Sequence, residues 1–201
     1  MTRKLVVFVV LAGLISATCA AIALFRAFNR ADAVAEYAGS PAIGGGFNLL
    51  SDTGRRVTDA DIRNKPTVMY FGYTYCPEVC PTTLSDLSHW ISMLGPDADK
   101  LNYVFVTIDP QRDTQQVMHR YVSSFDKRIR GFTGTPGQIA RIAREYRVYY
   151  RRIPSPDGSY SMDHSSIVYL MSRDGNFVGT IGYQEDSRLA VDKLRNLVRP
   201  D

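Results

Sequence analysis

The chain has 201 residues, 45% hydrophobic and 22% charged, which fits one globular domain with an extension and excludes a disordered chain. Its 24 basic and 20 acidic residues give a formal charge of +4, and the excess falls to two once Arg3 and Lys4 are set aside. That remainder is scattered along the sequence, which excludes an electrostatic footprint for nucleic acid.

The first element in chain order is Leu5 to Phe25, an uncharged run behind Arg3-Lys4. At 1.5 Å per residue it spans about 30 Å, the thickness of a bilayer's hydrocarbon core. It also exceeds the roughly 7–15 apolar residues of a cleaved signal peptide. The pattern predicts a cytoplasmic N-terminus at residues 1–4 and a retained transmembrane anchor at 5–25. Arg26 and Arg30 flank the far side as heavily as Arg3 and Lys4 flank the near side, so the orientation leans on the free amino terminus. Cys19 follows Ser16-Ala17-Thr18, which lacks the aliphatic and small residues of a lipoprotein cleavage site, and reads as a passive membrane residue. Residues 26–42, Ala-rich and aperiodic, read as a tether, and 43–201 as the folded domain.

Within that domain Gly44-Gly45-Gly46 leads into a short strand at Phe47-Asn48-Leu49-Leu50, a turn at 51–54 and a second short strand at Val57. The glycines do not open a strand–helix phosphate loop, so no nucleotide site is expected. The apolar strand 67–72 precedes a helix over 77–94 whose apolar residues are Val79, Leu84, Leu87, Ile91 and Leu94. Residues 103–108 form an uninterrupted apolar strand, as expected of a sheet buried on both faces. Helices at 114–125 and 136–147 bracket Phe132-Thr133. Strands at 166–171 and 177–183 turn at Arg173-Asp174-Gly175, and a helix over 186–198 closes the chain. This order predicts an α/β fold with a central mixed sheet flanked by helices. A cysteine pair at the first core strand–helix junction makes it thioredoxin-like.

That pair is Cys76-Pro77-Glu78-Val79-Cys80-Pro81. A thiol at a helix start is acidified by backbone N–H groups and the helix dipole, and Pro77 suits the first helical position. Residues four apart share a helix face, so Cys76 and Cys80 can close a disulfide or chelate a soft metal. A purely structural bridge would add little, because the loop it closes is short. The two are the only cysteines outside the apolar run, so this is not a disulfide-scaffolded fold. His164, in Asp163-His164-Ser165, reads as a loop residue before the strand 166–171, at the end of the sheet where the cysteines emerge. An imidazole with two thiolates suits copper or zinc, and Asp163 stands ready to orient or polarise the site. His89 and His119 read as helix-surface residues, and Met162 as packing beneath the loop. In Asp109-Pro110-Gln111-Arg112-Asp113-Thr114, Asp113 or Thr114 caps the next helix, while Arg112 or Asp109 borders the pocket.

These segments together resemble the Sco/SenC family of membrane-anchored, thioredoxin-like copper proteins of cytochrome c oxidase assembly. The resemblance is carried by Tyr70-Phe71-Gly72-Tyr73-Thr74-Tyr75 with the cysteine motif, by residues 108–114, by Thr133-Gly134-Thr135, by Tyr146-Arg147-Val148-Tyr149-Tyr150 and by Tyr160-Ser161-Met162-Asp163-His164-Ser165, in the family's order over 43–198. It implies that Cys76, Cys80 and His164 bind one copper, as Cu(I) or Cu(II), and that copper is delivered to the dinuclear centre of cytochrome c oxidase subunit II. It implies further partners in another periplasmic copper chaperone or a thioredoxin-like reductase. Met162 departs from the family's commoner aliphatic residue. Only four residues precede the apolar span, so a single-pass bacterial inner-membrane protein facing the periplasm is expected. Two other chemistries stay open. A thiol–disulfide oxidoreductase would reduce the copper-ligand cysteines of that subunit with Cys76 and Cys80 alone, His164 being dispensable. A peroxiredoxin-like peroxidase is disfavoured by the cysteine spacing, although Arg112 keeps it in view.

Overall fold

The computed structural model describes residues 42–199. The expected cytoplasmic segment 1–4, the anchor at 5–25, Cys19 and nearly all of the tether lie outside the described residues. Among the described residues no helix is long and apolar enough to cross a membrane.

The elements run β1 (Asn48–Ser51), β2 (Arg56–Thr58), β3 (Thr67–Gly72), α1 (Val79–Leu94), β4 (Asn102–Thr107), α2 (Gln115–Val122), β5 (Ile129–Thr133), α3 (Pro136–Glu145), β6 (Tyr150–Pro154), β7 (Tyr160–His164), β8 (Val168–Met171), β9 (Phe177–Ile181) and α4 (Ser187–Val198). The two apolar runs form the middle of the sheet. Every residue of β3 is buried, and β4 pairs with it in parallel from Thr67 opposite Asn102 to Gly72 opposite Thr107. Strand β5 continues in parallel from β4, while β8 lies antiparallel to β3 on the other side. The full order is β2-β1-β5-β4-β3-β8-β9. A parallel centre with antiparallel edges, and the cysteines at the β3–α1 junction, makes this the expected α/β thioredoxin-like arrangement with a mixed central sheet.

Helix boundaries follow local chemistry. Thr114 caps α2 by accepting from Val117 N–H at 3.3 Å, so of the two candidates Thr114 rather than Asp113 does the capping. Thr135 and Gln138 form a reciprocal capping box on α3, with Pro136 at its first position, and Asp186 caps α4. Helix α1 buries Leu84, Leu87, Trp90, Ile91 and Leu94 in the apolar core that also holds Val68, Met69, Tyr70, Phe71, Val104, Phe105 and Val106 of the sheet. Trp90 Nε1 donates to Ser187 Oγ at 3.1 Å, tying α1 to the start of α4.

Two elements differ from the sequence expectation. Helix α1 begins at Val79, not Pro77, because Cys76 N–H turns back onto the Tyr73 carbonyl at 3.2 Å. Cys80 N–H is then taken by the Cys76 sulfur at 3.4 Å, and the first helical bond is Thr82 N–H to the Glu78 carbonyl. The second difference is larger. Residues expected to be a loop form the β6–β7 hairpin, a two-stranded sheet separate from the main one, with Tyr150 opposite His164 and Pro154 opposite Tyr160. His164 therefore ends a strand instead of riding on a loop. The hairpin turns Arg151 and Asp163 out on one face and carries a further exposed arginine, Arg152, on the other, so it lacks the apolar run that announces a core strand.

Candidate metal centre

The centre is assembled where β3 ends. A Cβ on Gly72 would stand 2.8 Å from Cys80 Sγ and 2.8 Å from Phe105 Cε2, so only glycine lets the first turn of α1 come this close to the strand. Cys80 is fully buried there, and Cys76 is half-buried in the turn above it. The pair meets because the turn hangs Cys76 over the helix N-terminus, not because both lie on one helix face. Tyr70, deep in β3, donates its hydroxyl to Cys80 Sγ at 3.6 Å.

The turn itself is held by Asp113. Its carboxylate is buried and accepts from Thr74 N–H at 3.0 Å, Thr74 Oγ1 at 2.6 Å and Thr107 Oγ1 at 2.6 Å. Burial pushes the Asp113 pKa up, against these hydrogen bonds. By sequence Asp113 is a candidate helix cap; the structure gives it this tertiary role instead. Its partner Thr74 lies 39 residues away, and no local pattern signals that contact.

His164 arrives on the inner side of β7. The strand alternates, with Tyr160, Met162 and His164 half-buried and Ser161 and Asp163 exposed. His164 Nδ1 lies 2.9 Å from the Ser165 carbonyl oxygen, which can only accept, so Nδ1 carries the hydrogen. The lone pair of the neutral ring is thus on Nε2, 3.5 Å from Cys80 Sγ. Tyr73 meets the imidazole edge-on at 5.8 Å between centroids, and Tyr70 is tilted against it at 6.3 Å. The Sγ atoms of Cys76 and Cys80 and the His164 nitrogen all lie within 4.8 Å of one another. Three ligands held about 2.0–2.3 Å from one ion stand roughly 3.5–4 Å apart, so small adjustments would close the group on a metal.

The two thiols are electrically unlike. Cys76 is held down to about 4, first by the hydrogen bond from the Cys80 thiol, against its burial, and further by His164 and the Cys80 and Glu78 N–H groups. Cys80 is pushed up, first by the Cys76 sulfur beside it and then by burial. The reduced pair is one thiolate and one thiol at neutral pH. Such a pair is a ready nucleophile with a resolving partner, and it is also half of a deprotonated ligand set.

The structure thus brings Cys76, Cys80 and His164 together and leaves the other candidates apart. Asp163 does not face the centre as expected. Strand alternation turns it outward, where Tyr149 Oη donates to it at 3.2 Å and Arg151 stands 3.7 Å away. Met162 packs against the core from its half-buried place, as expected. His89 is exposed on α1, and His119 Nδ1 contacts Asp52 Oδ2 at 3.1 Å, so neither belongs to the Cys76, Cys80 and His164 group. Tyr70, Tyr73 and Asp113 are the contributors that sequence reasoning missed as parts of the site.

The sequence profile of the SCO1/SenC family matches residues 35–199, and the chain belongs to that family. It is 44% identical to the solved Bradyrhizobium japonicum ScoI with copper bound, covering 78% of this chain and 99% of that one, with a TM-score of 0.73. The copper-bound crystal structure of Arabidopsis thaliana ScoI is 40% identical over 78% of this chain and 98% of that one, with a TM-score of 0.74. Among curated proteins, the mitochondrial SCO1 homolog 1 of Arabidopsis thaliana is 43% identical over 81% of this chain and 49% of its own length. The chain spans about half to three fifths of the curated relatives it matches.

Proposed function

We propose that this chain is a membrane-anchored copper metallochaperone that holds one Cu(I) or Cu(II) on Cys76, Cys80 and His164 and delivers it to the dinuclear copper centre of cytochrome c oxidase subunit II. The observation that carries the proposal is the convergence of two sulfurs and one imidazole nitrogen within 4.8 Å. Thiolate and imidazole together suit copper, whereas magnesium, calcium and manganese prefer oxygen. Copper-bound relatives at 40–44% identity support the choice of copper over zinc. When bound, the ion is the cargo. Cys76 offers a thiolate, Cys80 gives up its proton to bind, and the Ser165 carbonyl holds the His164 ring with Nε2 forward. The recipient, and any upstream chaperone or thioredoxin-like reductase, follow from the family resemblance. On this reading an anchor at 5–25 and a tether at 26–42 would hold the domain at 43–201, and its centre, on the periplasmic side of a bacterial inner membrane.

A second reading is a thiol–disulfide oxidoreductase acting on the copper-ligand cysteines of subunit II. It is favoured by the thiolate character of Cys76 beside a protonated Cys80. The histidine separates the two readings, because disulfide exchange needs only the sulfurs. In cells, His164→Ala is expected to impair oxidase assembly nearly as much as Cys76→Ser, with partial rescue by added copper. Retained oxidase activity in the histidine variant, with loss in both cysteine variants, favours the reductase. Thiol reactivity of Cys76 is measured in the same variant, since His164 also helps to acidify it. The topology is checked separately. The full chain should stay with membranes after carbonate washing, and protease outside spheroplasts should digest the domain. A shortened, soluble product beginning after residue 20 would show a cleaved signal instead.

A further inference from the structure

The loop between β4 and α2 touches no proposed ligand, yet it joins the two segments that bring the ligands. A two-stranded hairpin is marginal in water on its own, and β6–β7 is not hydrogen-bonded into the seven-stranded sheet. Tyr150 and Met162 pack it against the main core, and polar contacts fasten it further. At its turn end, where β7 begins, Tyr160 donates its hydroxyl to Asp109 Oδ1 at 2.9 Å. Arg112 Nη1 donates to the Tyr160 carbonyl at 2.9 Å, and Arg112 Nε pairs with Asp109 Oδ2. The Arg112 guanidinium carbon also lies 3.7 Å from the Tyr160 ring centroid, and that of Arg152 lies 3.5 Å from it. Two cations this near one centroid must take opposite faces, so the ring is gripped between them. The same Arg112 group reaches the cysteine turn, at 4.8 Å from the Tyr75 ring and 5.7 Å from that of Tyr73.

We propose that Arg112, oriented by Asp109, is a positioning residue that fastens the β6–β7 hairpin to the cysteine turn through Tyr160 and so sets His164 against Cys80. Tyr160 and His164 lie on the same side of one strand, so a shift at the first moves the second. Asp113 fixes the Cys76 turn from the same loop through Thr74. One five-residue stretch therefore governs the spacing between the sulfur and nitrogen halves of the centre. Lysine cannot replace Arg112 here, because it has neither a flat face for the rings nor a fork for carbonyl and carboxylate together.

This inference rests on the reading of Cys76, Cys80 and His164 as the ligand set, and the test keeps the two apart. The full chain is titrated with Cu(II) alone as wild type, Arg112→Met, His164→Ala and the double variant, with nitrogen coupling followed by electron paramagnetic resonance. Arg112→Met should weaken Cu(II) binding about 10-fold and diminish the nitrogen coupling, as loss of an outer support does. In the His164→Ala background the same change should make no further difference, because the two act through one ligand. Equal losses in both backgrounds, or no loss in either, overturn the positioning role. Arg112→Lys should behave as Arg112→Met, and wild-type binding in it also overturns the role. Should Arg112→Met fail to fold, Tyr160→Phe, which removes only the hydroxyl bond to Asp109, carries the cycle with a smaller loss of the same pattern. A copper-free arm stands beside this. Hydrogen exchange of the β6–β7 amides should quicken about 10-fold in Arg112→Met, or in Tyr160→Phe to a smaller extent, with β3 and β4 unchanged. Unchanged hairpin exchange overturns the fastening. Unaltered Cu(II) binding in His164→Ala would instead defeat the ligand reading and the positioning of a ligand with it, while the exchange arm still decides whether Arg112 holds the hairpin.

Discussion

At Gly72 a single missing carbon decides how close a strand can come to a sulfur. Alanine there would place Cβ within 2.8 Å of both Cys80 Sγ and Phe105, and neither neighbour is a flexible chain end. Gly72→Ala is expected to cost about 1–3 kcal/mol through overpacking and to displace Cys80, measured by urea unfolding of the full chain and by weakened copper binding. The cysteines make a second expectation. With Cys76 held down to about 4, its alkylation in the reduced, metal-free protein should stay fast across neutral pH and fall only as the pH drops through about 4. Cys80, pushed up and buried, should resist the reagent throughout. Metal binding above pH 7 then draws one proton from the two thiols, not two, so log K should rise by about one per pH unit. A rise of two per unit would mean that Cys76 is protonated in the free protein.

The elements show where sequence reading succeeds and where it stops. Strands β3 and β4 were legible because burial on both faces leaves Val68-Met69-Tyr70-Phe71 and Tyr103-Val104-Phe105-Val106 without a polar interruption. The cysteine pair was legible from its spacing and its place after β3. The hairpin was not, because Tyr150-Arg151-Arg152-Ile153-Pro154 puts only Tyr150 against the core and stacks Arg152 on the Tyr160 ring, which leaves no hydrophobic period. The alternation of Tyr160, Met162 and His164 after the turn at Pro156-Asp157-Gly158 was the available signal. Asp113 was illegible for a different reason. Its role depends on Thr74 and Thr107, brought to it only by tertiary structure. Removing the carboxylate in Asp113→Ala leaves three donors short of their acceptor, and a loss of about 3 kcal/mol is expected in chemical denaturation. A loss under about 1 kcal/mol would show that water replaces the carboxylate at little cost.

Over the whole described domain, the sulfurs belong to the seven-stranded sheet and its first helix, while the nitrogen belongs to a separate two-stranded one. The sheet has a continuous apolar core, and the hairpin has none of its own and lends only Tyr150 and Met162 to it. The hairpin therefore opens at lower free energy than the sheet. Strong denaturant should unfold both, and mild denaturant the hairpin first, visible as loss of the nitrogen signal from bound Cu(II) before loss of the far-ultraviolet circular dichroism. Coincident transitions would show a single cooperative unit. If the proposed chaperone role holds, the separate hairpin also sets the terms on which cargo leaves. The grip on an ion held by all three atoms scales with the fraction of time the hairpin is closed, so a tenfold drop in that fraction loosens it about tenfold. A recipient that leaned on β6–β7, touching neither sulfur, would thereby turn a tight holder into a ready donor.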